Sequence, residues 1–154
     1  MEKINDMTRE QVIDALQDYF NIRELVSHNV YNRFGEASWQ FLDTDFLKCV
    51  LLLRTDILNA PMTCNHDSAL QRGLRCNVDS MVKEKKAAYL SAHMLGKAAD
   101  FDVKGMTAEE ARKKIKANAD KFPCNVRIEA GKSWLHFDVL PQWGIKQKVY
   151  EFKV

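Results

Sequence analysis

Two short runs of alternating residues in the last third of the chain constrain its fold most strongly. They are Val126–Glu129 and Trp134–Val139, and they flank Ala130–Ser133, which has the composition of a hairpin loop. Alternation of apolar and polar residues predicts half-buried strands, and a short glycine-containing segment between two such runs predicts a β-hairpin. The sequence therefore indicates an antiparallel pair near the C-terminus.

The expected pairing follows from the turn. If Gly131 and Lys132 form a two-residue turn, Ile128 pairs with Leu135 and Arg127 pairs with His136. Side chains alternate along each strand, and directly opposed residues share a face. Ile128, Leu135 and Phe137 are therefore expected to face the core. The opposite face is expected to carry polar groups and one aromatic residue: Arg127, Glu129, Trp134, His136 and Asp138.

The remaining elements are predicted mainly from apolar periodicity and capping residues. Capping-box sequences at Thr8–Gln11 and Thr107–Glu110 predict helices after each, the second extending to about Lys121. Dense apolar residues predict a helix over Thr44–Leu58. Strands are expected at Met62–Cys64, Lys97–Val103 and Lys148–Val154, and Asn65–Leu90 is expected to be a long connection with one turn of helix. This order predicts an α+β fold, an antiparallel sheet with helices packed against it.

The length of 154 residues predicts a single domain over 1–154. We divide it into an N-terminal helical part (1–43), a core that holds three of the four histidines and the hairpin (44–139), and a C-terminal extension (140–154). A monomer is expected, although no sequence feature distinguishes it from a dimer.

The composition argues against nucleic acid and membranes as partners. The net charge of +2 predicts no strong field for nucleic acid, and the longest apolar run, Cys49–Leu53, is far too short to span a bilayer. No C-x-x-C pair, P-loop, G-x-G-x-x-G or nucleophile elbow is present. The polar N-terminus, Met1–Met7, has no signal sequence, so we expect synthesis in the cytoplasm. Four cysteines would permit two disulfides, but reduced thiols are expected there.

The candidate chemistry lies in Ser91–Asp100 and in the hairpin. His93 and Asp100 are seven residues apart, and a turn at Gly96 would fold the histidine back over the carboxylate. With His136 they form a ligand set suited to a catalytic zinc, which uses three protein ligands and leaves one position for water. His28 and His66 have no such context and are interpreted as surface or structural residues.

Glu129 is the candidate general base. The alternation argument places it on the same face as His136, and a face with a histidine, two carboxylates and an arginine is costly to bury without a purpose. A carboxylate beside the metal would accept a proton from the activated water and deliver it to the leaving amine.

These residues are similar to the signature of the M15 family of zinc peptidases, also described as the hedgehog/D-Ala-D-Ala peptidase fold. The pattern Ser-x-His-x-x-Gly-x-Ala-x-Asp is complete in Ser91–Asp100, and Trp134–Asp138 resembles the later histidine element. The resemblance covers at least Thr44–Val139. It implies that His93, Asp100 and His136 bind Zn2+. It also implies a zinc metallopeptidase, a carboxypeptidase or endopeptidase, that cleaves a peptide bond in peptidoglycan stem or cross-link peptides.

The resemblance implies more than the metal ligands. Gly73-Leu74-Arg75 looks like an upstream Gly-x-Arg element, which implies that Arg75 binds a substrate carboxylate or carbonyl. Short members without a signal sequence resemble phage or prophage lysis enzymes, which implies action on the cell wall after release from the cell. The particular peptide bond is left open.

One departure leaves the catalytic base open. Ser133 stands where many members carry a catalytic Glu or Asp, three residues before the last histidine. Glu129 fits members that supply the base from the partner strand, and Asp138 is the alternative carboxylate, as a group that orients a ligand histidine. If neither acts, the chain would be a non-catalytic zinc- or peptide-binding module, such as a phage structural component. A metal-free α+β binding domain is the third interpretation.

Overall fold

The computed structural model describes residues 3–154, and Met1 and Glu2 at the start of the N-terminal part lie outside the described residues. Within this range the α-helices are α1 Arg9–Leu16, α2 Ile22–Leu25, α3 His28–Phe34, α4 Thr44–Leu52, α5 Ser80–Lys83 and α6 Ala108–Ala117. The strands are β1 Met62–Thr63, β2 Ala98–Val103, β3 Val126–Glu129, β4 Leu135–Asp138 and β5 Val149–Phe152. Short 3-10 helices occupy Ile4–Asp6, Gly35–Phe41 and Ala119–Lys121, and a π-helical turn, Leu53–Ile57, extends α4. The α+β class is confirmed.

Both predicted capping boxes begin helices. Thr8 accepts the backbone N–H of Gln11 while the Gln11 side chain accepts the N–H of Thr8, and Thr107 and Glu110 repeat this exchange at α6. Each pair satisfies two backbone donors that a helix start leaves without partners. Helix α6 is shorter than predicted: it ends at Ala117, and a 3-10 helix, Ala119–Lys121, follows.

The five strands form one mixed sheet in the order β1-β2-β4-β3-β5. Strands β1 to β4 pair in antiparallel fashion, as expected, but β5 runs parallel to β3, so the expectation of a wholly antiparallel sheet is wrong at this edge. The end of β4 lies beside the beginning of β3, and the connection 139–148 crosses from there to the other side of β3, where Val149 pairs with Val126. Because β5 begins at the same end of the sheet as β3, the two strands run parallel.

The hairpin keeps the predicted faces but not the predicted register. Ile128 pairs with Phe137 and Arg127 pairs with Asp138, two residues from the expected partners. The loop is wider because the buried Arg112 of α6 lies inside it, donating to the carbonyl oxygens of Glu129, Lys132 and Trp134 at 3.1–3.4 Å. A shift of two residues preserves the side-chain face.

The core lies between the helices and one face of the sheet. Ile128, Leu135 and Phe137 are fully buried in it, as predicted, together with Phe101 of β2 and most of α4. The opposite face is not solvated: all four residues of β4 are buried, including His136 and Asp138. Polar side chains are therefore enclosed on this second face and need partners there.

Cys49, Cys64, Cys76 and Cys124 are all unpaired thiols. Over residues 3–154, every helix is too short or too polar to cross a bilayer.

Candidate metal centre

The sheet register places two of the candidate ligands side by side. In the antiparallel pair β2–β4, Asp100 lies directly opposite His136, so their side chains emerge on the same face. The Nδ1 atom of His136 lies 2.8 Å from Oδ1 of Asp100. Strand pairing alone thus brings together residues 36 positions apart in the sequence.

A tight turn brings His93 to the same place. The backbone turns back at Gly96, which has φ +70°, and the N–H of Lys97 donates to the carbonyl of Ala92. A Cβ atom on Gly96 would lie 2.0 Å from the carbonyl oxygen of Phe41, so the turn packs against backbone and admits only glycine. The predicted turn is present, and Nε2 of His93 lies 3.6 Å from Oδ1 of Asp100.

The segment around Gly73 orients the His93 ring. Nδ1 of His93 lies 2.9 Å from the carbonyl oxygen of Gly73 and donates its hydrogen there, which leaves Nε2 as the lone-pair nitrogen facing Asp100. Gly73 itself packs on Leu25, whose carbonyl oxygen would be 2.1 Å from an added Cβ. The N–H of Arg75 donates to the carbonyl of His93, which fixes the two segments together.

His136 is held from both sides by carboxylates. While Nδ1 faces Asp100, Nε2 lies 2.7 Å from Oδ2 of Asp138. A histidine that donates one ring N–H to a carboxylate presents its other nitrogen to a metal in a fixed direction. Asp138 holds Nε2 of His136, and the Gly73 carbonyl holds Nδ1 of His93. The other nitrogen of each ring faces the Asp100 carboxylate.

The three side chains form a compact, buried donor set. One ligand atom from each of His93, Asp100 and His136 lies within 4.8 Å of the other two, and the three residues are 6–8% exposed. The imidazole rings are 5.3 Å apart at their centroids. Two imidazole nitrogens, each oriented by a hydrogen bond at the other nitrogen of its ring, and one carboxylate oxygen fit a divalent metal ion.

Hydrogen bonds within the site raise the pKa of His136 and lower that of Asp100. Burial alone would lower the pKa of His136, but its hydrogen bonds to Asp100 and Asp138 outweigh burial and raise that pKa to about 9. Burial alone would raise the pKa of Asp100, yet the hydrogen bond from His136 and the charge on that ring hold it below its ordinary value. Without a metal, a proton on His136 compensates the adjacent negative charges, and a metal ion would replace that proton.

Asp138 has no free acceptor position for proton transfer. Its Oδ1 accepts from Arg127 Nε at 2.8 Å and from the N–H of Leu140 at 3.0 Å, and its Oδ2 accepts from His136 and from Arg127 Nη2 at 3.0 Å. Its side chain has no exposed surface. This geometry suits a group that orients His136, and it argues against Asp138 as the base.

Glu129 lies on the same sheet face but outside this hydrogen-bond group. The observed register, extended by two residues from the Arg127–Asp138 pair, brings Glu129 opposite His136. Its carboxylate is mostly buried and lies 3.6 Å from Nζ of Lys132. Ser133 is exposed in the hairpin loop. Glu129 is therefore a mostly buried carboxylate that lies next to His136 in the sheet and outside its hydrogen-bond group.

Arg75 joins the site to a neighbouring cleft. Its Nη2 lies 3.8 Å from Oδ2 of Asp100, and its Nε donates to the carbonyl of Gln71 at 2.6 Å. It also lines a cleft of about 530 Å³ whose other walls are mainly apolar. Phe34 and Phe41 form part of that wall in an edge-to-face pair and are 42% and 38% exposed.

Sequence reasoning missed several residues that hold the site. The Gly73 carbonyl belongs to the backbone, so no side chain in the sequence indicates its role. Phe152, whose ring meets His136 edge-on, reaches the site only through the pairing of β5 with β3. Arg127 was placed on the correct face, but its pairing with Asp138 required the true register. His28 and His66 lie outside the cluster, as expected; Nε2 of His66 is 3.8 Å from Asp102.

No protein-family model, curated protein or solved structure matches this chain.

Proposed function

We propose that this protein is a zinc-dependent peptidase with the hedgehog/D-Ala-D-Ala peptidase fold. The observation that carries the proposal is the buried set of His93, Asp100 and His136, whose ligand atoms converge within 4.8 Å. Each histidine is already oriented by a hydrogen bond from its other ring nitrogen. Such outer partners are typical of metal sites and contribute to affinity.

The donor types favour zinc over the hard cations. Ca2+ and Mg2+ prefer oxygen ligands, whereas two imidazole nitrogens and one carboxylate are a common catalytic zinc set. Structural zinc sites usually have four protein ligands. Within residues 3–154, the cluster supplies three from His, Cys, Asp or Glu, which leaves one coordination position for a reactant.

A bound zinc ion would lower the pKa of a coordinated water to roughly 7 and polarise a carbonyl group. We assign the proton transfers to the carboxylate of Glu129, which accepts the proton from the attacking water and delivers it to the departing amine. The partly buried position of Glu129 on the His136 face supports this role.

We assign substrate recognition to Arg75 and the cleft beside it. A guanidinium binds a carboxylate or carbonyl oxygen through directed N–H donors, and that of Arg75 lies between the cleft and Asp100. The apolar wall would contact the part of the peptide next to the bound oxygen. The resemblance of the motifs supports bacterial cell-wall peptides as the substrate, cut by a carboxypeptidase or endopeptidase reaction.

The test compares zinc-loaded wild type with Glu129→Gln on purified peptidoglycan, measuring new amino groups. Glu10→Gln on the exposed start of α1 is the matched control. We expect zinc to be retained in both variants and activity to fall by about 10²–10⁴-fold in Glu129→Gln only, the usual range for loss of a general base. Undiminished activity in Glu129→Gln would remove Glu129 from the mechanism, and an inactive wild type would refute the peptidase.

The second candidate is a non-catalytic zinc- or peptide-binding module, such as a component of a phage particle. The specific observation in its favour is that Glu129 pairs with Lys132 and has no hydrogen bond to the three ligands, while Ser133 occupies the alternative base position. This candidate predicts about one zinc per chain and no release of amino groups. A protein that binds no zinc would favour the metal-free domain instead.

A further inference from the structure

The outer side of His136 contacts a group of residues that the proposed chemistry does not use. Asp138 accepts the Nε2 hydrogen of His136, and Arg127 on β3 contacts both oxygens of Asp138. The two Arg127 contacts, 2.8 and 3.0 Å long, form a planar fork on a carboxylate with no exposed surface. A fork of this kind fixes the carboxylate plane as well as its position.

Arg127 is held in turn by the C-terminal residues. Its guanidinium carbon lies 4.7 Å from the ring centre of Phe152 on β5, and its Nη1 donates to Oε1 of Gln142 at 2.9 Å. The ring of Phe152 also meets His136 edge-on, with centroids 5.7 Å apart and an interplanar angle of 84°. The segment 140–154 therefore contacts His136 both directly and through Arg127 and Asp138.

These contacts determine which way the imidazole presents its nitrogens. His136 faces Asp100 with Nδ1 only while Nε2–H remains bound to Asp138. If Arg127 were lost, Asp138 would be a buried carboxylate without its ion-pair partner, an arrangement that is strongly unfavourable. Asp138 would then shift or draw in water, and the ring of His136 would lose its fixed direction.

We propose that Arg127 and Phe152 are positioning residues of the metal site, acting through Asp138 to keep Nδ1 of His136 aimed at the ion. The inference rests on the metal binding in the proposed function. It also gives the C-terminal extension a role, since β5 supplies Phe152 and the preceding connection supplies Gln142. The site is then complete only when β5 is paired with β3.

The experiment measures zinc affinity by competition with a chromophoric chelator in wild type, Arg127→Gln, Arg127→Lys and Phe152→Leu. Arg72→Gln is the control, because Arg72 also makes a two-pronged contact, with the exposed Asp102 at 2.9 and 3.2 Å, and does not contact His136. We expect Arg127→Gln to bind zinc about 10–100-fold more weakly, the usual effect of losing an outer partner of a metal ligand. Arg127→Lys should recover part of the loss, and Arg72→Gln should bind as wild type does.

A second readout separates positioning from a general loss of stability. Long-range proton–nitrogen NMR spectra of the zinc-loaded protein report which ring nitrogen of each histidine carries the hydrogen and how fast that hydrogen exchanges. We expect a protected Nε2–H on His136 in wild type and faster exchange in Arg127→Gln and Phe152→Leu, while the Nδ1–H of His93 is unchanged. If both histidines changed equally, Arg127 would be a merely structural residue and the inference would fail.

The outcomes also separate this inference from the proposed function. A wild type that binds no zinc refutes the proposed metal site. A wild type that binds zinc, together with wild-type affinity and Nε2–H exchange in Arg127→Gln, overturns the positioning role. If Arg127→Gln does not fold, Phe152→Leu decides, because it keeps the Arg127–Asp138 pair and removes only the aromatic contacts; wild-type values in it would overturn the inference.

Discussion

Asp100 and His136 face each other across neighbouring antiparallel strands, with Nδ1 of the histidine 2.8 Å from Oδ1 of the carboxylate. Because the backbone hydrogen bonds of the sheet set this distance, two of the three proposed ligands are positioned without any loop. The third, His93, depends on the turn at Gly96 and on the carbonyl of Gly73. The ligand most sensitive to local changes is therefore His93.

Replacement of Gly96 by alanine should weaken metal binding. The added Cβ would lie 2.0 Å from the Phe41 carbonyl oxygen, so the turn must move and carry His93 away from Asp100. Gly105→Ala is the control, since Gly105 also has a positive φ, +81°, but nothing within 4 Å of the added atom. Chelator competition and thermal unfolding measure the effects.

The two glycine variants share the backbone strain, which costs on the order of 1 kcal/mol of stability at a positive φ. We expect only Gly96→Ala to lose zinc affinity, by tenfold or more, and to lose more stability than the control. Equal zinc affinity in Gly96→Ala and Gly105→Ala would show that the close approach to Phe41 does not position His93.

The metal-free protein should lose stability as the pH rises. The pKa of His136 is raised to about 9 in the folded protein, above its unfolded value of roughly 6.5. A group with a raised folded pKa contributes stability fully below the unfolded pKa and loses it as the pH passes through the folded pKa. The free energy of unfolding should therefore fall by on the order of 2–3 kcal/mol between about pH 6.5 and about pH 9.

Urea unfolding of the metal-free protein at a series of pH values measures this dependence. His136→Gln supplies the control, because glutamine does not titrate and the decline should flatten. A wild-type stability that rises over the same interval would show that the Asp100–His136–Asp138 contacts do not hold a proton.

Zinc affinity should change in the opposite direction with pH. The metal competes with the proton on Nδ1 of His136, so affinity should increase about tenfold per pH unit until the pH approaches about 9. Calorimetry in buffers of different ionisation enthalpy measures the released proton directly. Binding that releases no proton at pH 7 would mean that His136 is not a ligand.

Arg75 variants should affect substrate binding more than metal binding. Arg75→Gln removes the guanidinium that lies between the cleft and Asp100, and loss of a charged hydrogen bond costs roughly 1.5–3 kcal/mol. We expect KM for a cell-wall peptide to rise by about tenfold or more with zinc retained, and Arg75→Lys to recover little because lysine lacks the planar fork. An unchanged KM would indicate that Arg75 serves only the ion pair with Asp100.

Local sequence signals predicted a substantial part of this molecule. The capping boxes at Thr8 and Thr107, the core face of the hairpin and the turn at Gly96 all depend on neighbours within a few residues, and each is present. The α+β class followed from the order of these elements. Predictions that depend on spacing within one element succeeded for this reason.

Features that depend on distant residues were not predictable in the same way. The hairpin register was wrong because Arg112, on a separate helix, donates to carbonyls inside the loop and widens it. The parallel β5 was missed because the path of 139–148 leaves no periodic signal. The pairing of β2 with β4, which places Asp100 opposite His136, is likewise a tertiary choice that periodicity does not encode.

The most direct test of the central claim is diffraction from zinc-loaded crystals at wavelengths on either side of the zinc absorption edge. Our account predicts one strong anomalous peak per chain, bonded to Nε2 of His93, a carboxylate oxygen of Asp100 and Nδ1 of His136, with Asp138 still bound to Nε2 of His136. A peak at other residues, or crystals of zinc-treated protein with no peak between these three side chains, would contradict it.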